Sequence, residues 1–313
     1  MNISYSRPLS LGYQRMKKAL FQPFDLSKWF RVGFTAWLAG LTDCQGGSGN
    51  GSGNAGSQQD WQEFFNFPDT AWNWLTNHPV WSNLIIAGIV LLVLIISVVI
   101  WVSSRGKFMF LHNVVHDKQE ISQPWHEYKK EGNSLFIFNF FYGWAAFAVI
   151  ILIFVYSFLG AKELYYGDFT SVAIFWAVAK MIFFFILYLI TFGYVSLFTK
   201  DFVVPIMYKH RIGVVQAWGK FLRLFAQKFL LFIFYGLFIF ILGIGVTLGV
   251  IFLALVTCCI GLLLIAIPFI GSVILLPVSY TFRAFSIEFL AQFGKNFNVL
   301  EEETLPIIEE HEG

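Results

Sequence analysis

The side chains best suited to chemistry in this 313-residue chain gather in one basic segment. His112 and His116 stand four apart, a spacing that puts two imidazoles on one helix face, with Asp117, Glu120 and His126 close behind. These are ligand types for a transition metal. The same spacing is ordinary on a solvated cytoplasmic helix, which is the expectation here. His126-Glu127-Tyr128-Lys129-Lys130 opens like a zinc-protease helix, but Lys130 stands where the second His must be. No Gly-x-Ser-x-Gly elbow and no Walker loop occurs in the sequence. Cys258 and Cys259 are adjacent and Cys44 is far away, which makes neither a disulfide framework nor a Cys-x-x-Cys site. The sequence therefore predicts no catalytic residue, no cofactor and no metal: a protein that is not an enzyme.

The elements that must carry these residues are membrane helices. Charged residues make up 13% of the chain, where a soluble domain carries roughly 25%. Hydrophobic residues reach 57% and the mean hydropathy is +0.67, so too little charge remains to coat a water-facing surface. A crossing needs about 20 apolar residues. Residues 84–102 and 135–159 qualify without a charge, and 172–198 with Lys180 alone. Residues 229–282 contain no Asp, Glu, Lys, Arg or His, enough for two crossings and a turn near Cys258-Cys259-Ile260-Gly261. Residues 29–41 are short for a crossing.

Charge placement settles that short segment at the level of sequence. Cytoplasmic loops are enriched in Lys and Arg. Arg7, Arg15, Lys17, Lys18, Lys28 and Arg31 all lie before Val32, and no Lys or Arg lies between Thr42 and Asn83. The next loops alternate: five basic residues from Arg105 to Lys130, then Lys162, then six from Lys200 to Lys228. The pattern predicts an all-α protein with six spans, about 27–43, 83–103, 135–159, 171–199, 229–256 and 262–284, in a membrane domain covering 29–294. Both termini are expected in the cytoplasm of a bacterial inner membrane. Residues 1–28 form an arm whose Leu11, Tyr13, Met16, Leu20 and Phe21 suit an amphipathic helix on the anionic inner leaflet. Residues 43–82 form an outer loop, Gly-rich at 46–57 and then rich in Trp, as in an aromatic belt. Residues 295–313 form an acidic tail, a docking segment for a protein partner in one reading. No cleavable signal peptide is expected.

Shifting the sequence by 93 positions aligns 121–143 with 214–236 without a gap. Gln123 meets Gln216, Trp125 meets Trp218, and Phe141-Tyr142-Gly143 meets Phe234-Tyr235-Gly236. Both copies read as an amphipathic helix anchored at the interface by its Trp, running into a span, so the repeat is parallel. Arg105-Gly106-Lys107-Phe108-Met109-Phe110-Leu111, Pro124-Trp125-His126-Glu127-Tyr128 and Asp201-Phe202-Val203-Val204-Pro205-Ile206-Met207-Tyr208 carry a likeness, as does Phe282-Arg283-Ala284-Phe285-Ser286. At these residues the chain resembles a set of uncharacterised bacterial six-helix membrane proteins. That set is distantly similar to the membrane domain fused to some glycerophosphodiester phosphodiesterases. The resemblance implies an inner-membrane protein without an established reaction, and the phosphodiesterase's catalytic barrel is absent.

Within or beside the spans, three polar residues are candidate sites. Lys180 either snorkels to the outer interface or faces an anionic ligand. Arg283 at the inner end of the last span reads as an interfacial anchor, with Glu288 a little over one turn on as a partner. Gly243, Gly245 and Gly249 suit close helix packing. The expected function is a scaffold or lipid-interacting accessory of the envelope, with membrane lipids as partners and no nucleic acid. The alternative is a channel or carrier for a hydrophobic or anionic small molecule.

Overall fold

The computed structural model describes residues 3–43, 58–167, 171–257, 261, 265, 267 and 269–300, without the side chains of 58–64 and 171. The Gly-rich linker, Cys44, the Cys258-Cys259 turn, Pro268 and the acidic residues from 301 onward lie outside the described residues. Among those described every regular element is helical: α1 Ser6–Phe21, α2 Leu26–Gly40, α3 Gln58–Asn77, α4 Pro79–His116, α5 Ser122–Glu127 and α6 Lys129–Tyr166. There follow α7 Ser171–Phe198, a π-turn Thr199–Val203, α8 Val204–His210, α9 Val214–Gln227, α10 Phe229–Val256, α11 Ile270–Ile274 and α12 Leu276–Ala291.

Four helices are long and apolar enough to cross a membrane: α4, α6, α10, and α7 with its continuation to His210. Their apolar side chains, such as Leu91, Phe154, Phe183 and Phe252, are exposed along these runs. Water would not tolerate that surface, and lipid does. A helix of 38 residues is about 57 Å long, roughly twice the thickness of the hydrocarbon core. In α4 the excess is visible as a change of environment, because every residue from Ser103 to Val114 is buried.

The chain divides into two compact units. The first comprises Met1–Thr42, Trp101–Asn139 and Gly193–Gly313. It holds the hydrophobic core, in which Phe202 stacks on Phe221 at 5.3 Å and meets Phe232 edge-on at 5.0 Å. Here α1 lies along α12, and Gly12 is what lets it: a Cβ there would stand 2.9 Å from the backbone nitrogen of Phe285. Arg15 Nε meets Glu288 Oε1 at 2.6 Å, and Ser4 and Gln292 exchange two hydrogen bonds of 3.0 Å. Helix α2 starts at Asp25, whose carboxylate accepts from the Ser27 amide at 2.8 Å as an N-cap. It runs against the buried half of α4, with Gly106 so close to Leu38 and Ala39 that a Cβ would stand 2.7 Å from Leu38. Ser103 and Thr42 hydroxyls pair at 2.9 Å at one end, and Lys28 meets Asp117 at 2.9 Å at the other.

The second unit comprises Asp43–Ile100 and Phe140–Phe192. In it Phe65 packs on Phe158 and Tyr165, and the Tyr142 hydroxyl donates to the Phe192 carbonyl.

Three sequence expectations read differently here. The buried stripe of α1, Gly12, Met16, Ala19 and Leu20, lies against protein, not lipid, because α12 offers it a complementary face. The first expected span is α2, about 22 Å long and paired with α4 residues beyond the apolar run. The last expected span contains α11 and α12, separated at Leu275 just before Pro277, whose ring breaks the ladder. A six-span reading therefore needs chain outside the described residues to complete both.

Placing a side chain on Gly106 forces α2 and α4 apart. Gly106→Leu is expected to cost about 1–3 kcal/mol or more through overpacking, read as a lowered Tm of the full chain in detergent. Gly88→Leu, where an added Cβ meets nothing within 4 Å among the described residues, should leave Tm within a degree or so of the parent.

Candidate functional site

Two polar constellations occupy the first unit, and both grow from the place where α7 ends. Pro205 has no N–H to give, and its ring collides with the carbonyl four residues earlier in a regular helix. The chain widens into the π-turn just before it, a feature that frees backbone carbonyls and often marks functional positions. One freed carbonyl is that of Lys200, and Arg283 Nη1 from α12 donates to it at 2.6 Å. The next side chain, Asp201, accepts from the Tyr235 hydroxyl of α10 at 2.9 Å. Arg283, Asp201 and Tyr235 are all buried, and Tyr235 feels the charges of both the others. A buried charge needs hydrogen-bonding partners, and this turn provides one for Arg283 and one for Asp201.

The second constellation is an open cleft of about 610 Å³ at the end of α4. His112, 4% exposed, has its Nδ1 3.0 Å from the Tyr208 hydroxyl, which lies 3.3 Å from His116 Nδ1. His116 Nδ1 is also 3.2 Å from the His112 carbonyl. The phenol has one proton. Given to His112 Nδ1, it leaves the Nε2 proton facing Glu120 Oε2 at 3.4 Å, while His116 Nδ1–H serves the carbonyl and the phenol oxygen. Below, Tyr208 stacks on Tyr128 at 4.6 Å, and the Arg211 guanidinium sits over the Tyr128 ring at 3.8 Å. Arg211 pairs with Glu127 and lies 3.9 Å from Glu131. Arg211 takes a left-handed backbone conformation, φ 54°, which ends α8 and turns the side chain back toward α5. Burial lifts the Tyr128 phenol above its ordinary value. Burial also pushes the Glu127 carboxyl up, but the Arg211 guanidinium outweighs it and holds Glu127 below the usual carboxylate range.

The residues singled out in the sequence are distributed as follows. Trp125 of α5 meets Trp101 edge-on at 5.6 Å, and Arg105 lies over both rings at 4.4 and 4.9 Å while donating to Asn133 at 3.0 Å. Trp218 of α9 packs on Phe138 and Phe221. Glu288 pairs with Arg15 and Arg283 with the π-turn, so these two are not each other's partners. Lys180 is exposed on α7. An added Cβ at Gly243, Gly245 or Gly249 meets nothing within 4 Å among the described residues, so no described helix packs on that stripe. His112 and His116 are brought together; His112 is buried, against the solvated-face expectation, while His116 is exposed along the open cleft. Among the described residues no group of three or more His, Cys, Asp or Glu is placed to hold a metal. Sequence reasoning missed Asp201 and Tyr208. Pro205, shortly after an Asp at the end of an apolar run, was the available signal.

Two outcomes test these networks. Arg283→Ala leaves the Lys200 carbonyl without its donor, and is expected to cost about 1–3 kcal/mol, seen as a lowered Tm of the full chain in detergent. For Glu127 the sign is set by its lowered folded-state value. Its contribution is present above the unfolded carboxylate value and is lost as pH falls through the folded one. Acidification should therefore lower Tm in the parent, and less steeply in Arg211→Gln; equal slopes would refute the pairing.

No curated protein and no solved structure matches the chain. A family model described as a family of unknown function (DUF7544) matches residues 9–296, which include every residue named in both constellations. The chain belongs to that family, and its long apolar helices make it a membrane protein of unknown function.

Proposed function

We propose that the chain is a non-enzymatic, lipid-interacting accessory or scaffold of a bacterial inner membrane, with its basic side in the cytoplasm. The distant likeness to the glycerophosphodiester phosphodiesterase membrane domain and the parallel repeat belong to the same proposal. One observation carries it. Every Lys and Arg except Lys162 and Lys180 falls in the first unit, which also holds one end of α4, α6 and α7 and the whole of α10. Those ends are the C-terminal ends of α4 and α7 and the N-terminal end of α6, so these three consecutive helices alternate in direction. A one-sided concentration of cation is what retention at an anionic cytoplasmic leaflet produces. In the six-span form of the proposal, α2 and α11–α12 are completed by chain outside the described residues.

A carrier would use Lys180 and the glycines of α10 along a path. Lys180 is exposed and lines neither of the two hollows described in the first unit, and the glycine stripe faces open space among the described residues. These observations favour the scaffold.

Orientation is tested in whole cells with Cys44, Cys258 and Cys259 replaced by Ser. Asn77→Cys should react with an impermeant maleimide and Lys129→Cys only after lysis; the reverse order would overturn the reading. Gentle purification should retain anionic phospholipid in preference to zwitterionic lipid, measured by lipid extraction and mass spectrometry. No enrichment over the bulk membrane would reject lipid interaction.

A further inference from the structure

A second hollow of the first unit, about 480 Å³, lies between α9 and residues 296–297. Lys220, Arg223 and Gln227 enter it from one face of α9, at the three- and four-residue spacing that aligns side chains. His210 and Asn296 close the other side, with His210 Nε2 3.0 Å from the Asn296 carbonyl. Leu224 supplies an apolar floor. No carboxylate lines this hollow, and among the described residues neither Lys220 nor Arg223 has an ion-pair partner. Other cations of the unit have carboxylate partners, Arg15 in Glu288, Lys28 in Asp117 and Arg211 in Glu127. The cations here share one small concavity at the cost of mutual repulsion. A bound anion would relieve that repulsion.

The setting narrows the anion. Helix α9 buries Val214, Ala217, Phe221 and Leu224 in the core. On the face of α9 that flanks Arg223 it exposes Val215, at 78%, and Leu222, at 50%. An exposed apolar edge next to paired cations is the surface of a helix at the boundary between acyl chains and headgroups. Arg binds phosphate through two parallel N–H groups and Lys binds it as a point charge.

We propose that this hollow binds a phosphate group, as monoester or diester, with Arg223 and Lys220 on its oxygens and the Gln227 and Asn296 amides as neutral donors. The inference rests on the lipid-interacting reading and gives it an address. The phosphate is supplied either by an anionic phospholipid headgroup or by a soluble phosphate compound, and the two have the same oxygen chemistry.

The test uses the full chain in detergent, titrated with phosphatidylglycerol or phosphatidylcholine and read by native mass spectrometry, with inorganic phosphate as competitor. The double variant Lys220→Gln/Arg223→Gln is compared with Lys129→Gln/Lys130→Gln, which removes two exposed charges outside the hollow. All four side chains are exposed, so both variants should keep the parent's Tm. Loss of two charge-assisted contacts should weaken phosphatidylglycerol binding at least about tenfold in the first variant, against under about twofold in the second. Variant-sensitive binding that millimolar inorganic phosphate displaces assigns a soluble phosphate; variant-sensitive binding that it leaves intact assigns the headgroup. Equal losses in the two variants would overturn the site and leave the lipid-interacting reading standing. If phosphatidylglycerol is not preferred by the parent at all, that reading fails, and variant-insensitive binding of inorganic phosphate then rejects the hollow as well.

Discussion

A helix that widens by one residue leaves carbonyls with no amide to meet, and inside a protein core they must be met by something else. Here Arg283 reaches from α12 to the Lys200 carbonyl, and Asp201 in the same turn takes the Tyr235 proton from α10. The π-turn thus fixes two helices to the end of a third. Further contacts depend on it in order. With α12 held, Phe285 is presented to Gly12 and Glu288 to Arg15, which seats α1. With α10 held, Phe232 and Tyr235 close around Phe202. The turn also aims α8, so that Tyr208 reaches both histidines of α4 and Arg211 covers Tyr128.

Phenylalanine, present 38 times, serves two solvents in this chain. In the first unit it fills a close-packed interior, with rings stacked or edge-on at 5 to 6 Å. Along the long helices Phe154, Phe183 and Phe252 face outward, where acyl chains replace protein as the apolar surroundings. Hydropathy cannot separate these uses, since each removes the same surface from water. The polar residues separate them. Ser103, Asn113, Asp201 and Arg283 are buried because each finds a partner within the unit, a solution unavailable against lipid.

That division explains what was legible in the sequence. The four long helices were, because uncharged runs of that length have one stable solution in a bilayer. The basic segments were legible too, and they fall in one unit. The burial of α1 against α12 was not, because an amphipathic stripe is written the same way whether lipid or a helix covers it; Gly12 is the only mark of a close approach. His112 was expected on a solvated face and is buried, since nothing in the spacing of the two histidines announces that Tyr208, nearly a hundred residues on, reaches them both. Asp201 drew no attention as a site in the sequence for a similar reason. It follows the apolar run directly, and only Pro205 signals that the helix continues beyond it in altered form.

The alignment of 121–143 on 214–236 also shows where the two halves part company. The helices begin alike, each with its Trp near the start, but α5 breaks at Tyr128 whereas α9 runs on to Gln227. At the same register Lys220 stands where the first copy has Glu127, and Arg223 where it has Lys130. In the first copy the carboxylate is consumed internally by Arg211, a residue that itself comes from the connection leading into the second. The first copy is thereby closed by an ion pair within the chain. The second, longer by two turns and carrying a cation in place of that carboxylate, has its charge left over for something outside the chain. In this alignment, Lys220 in the place of Glu127 separates a structural corner from a surface able to take an anion.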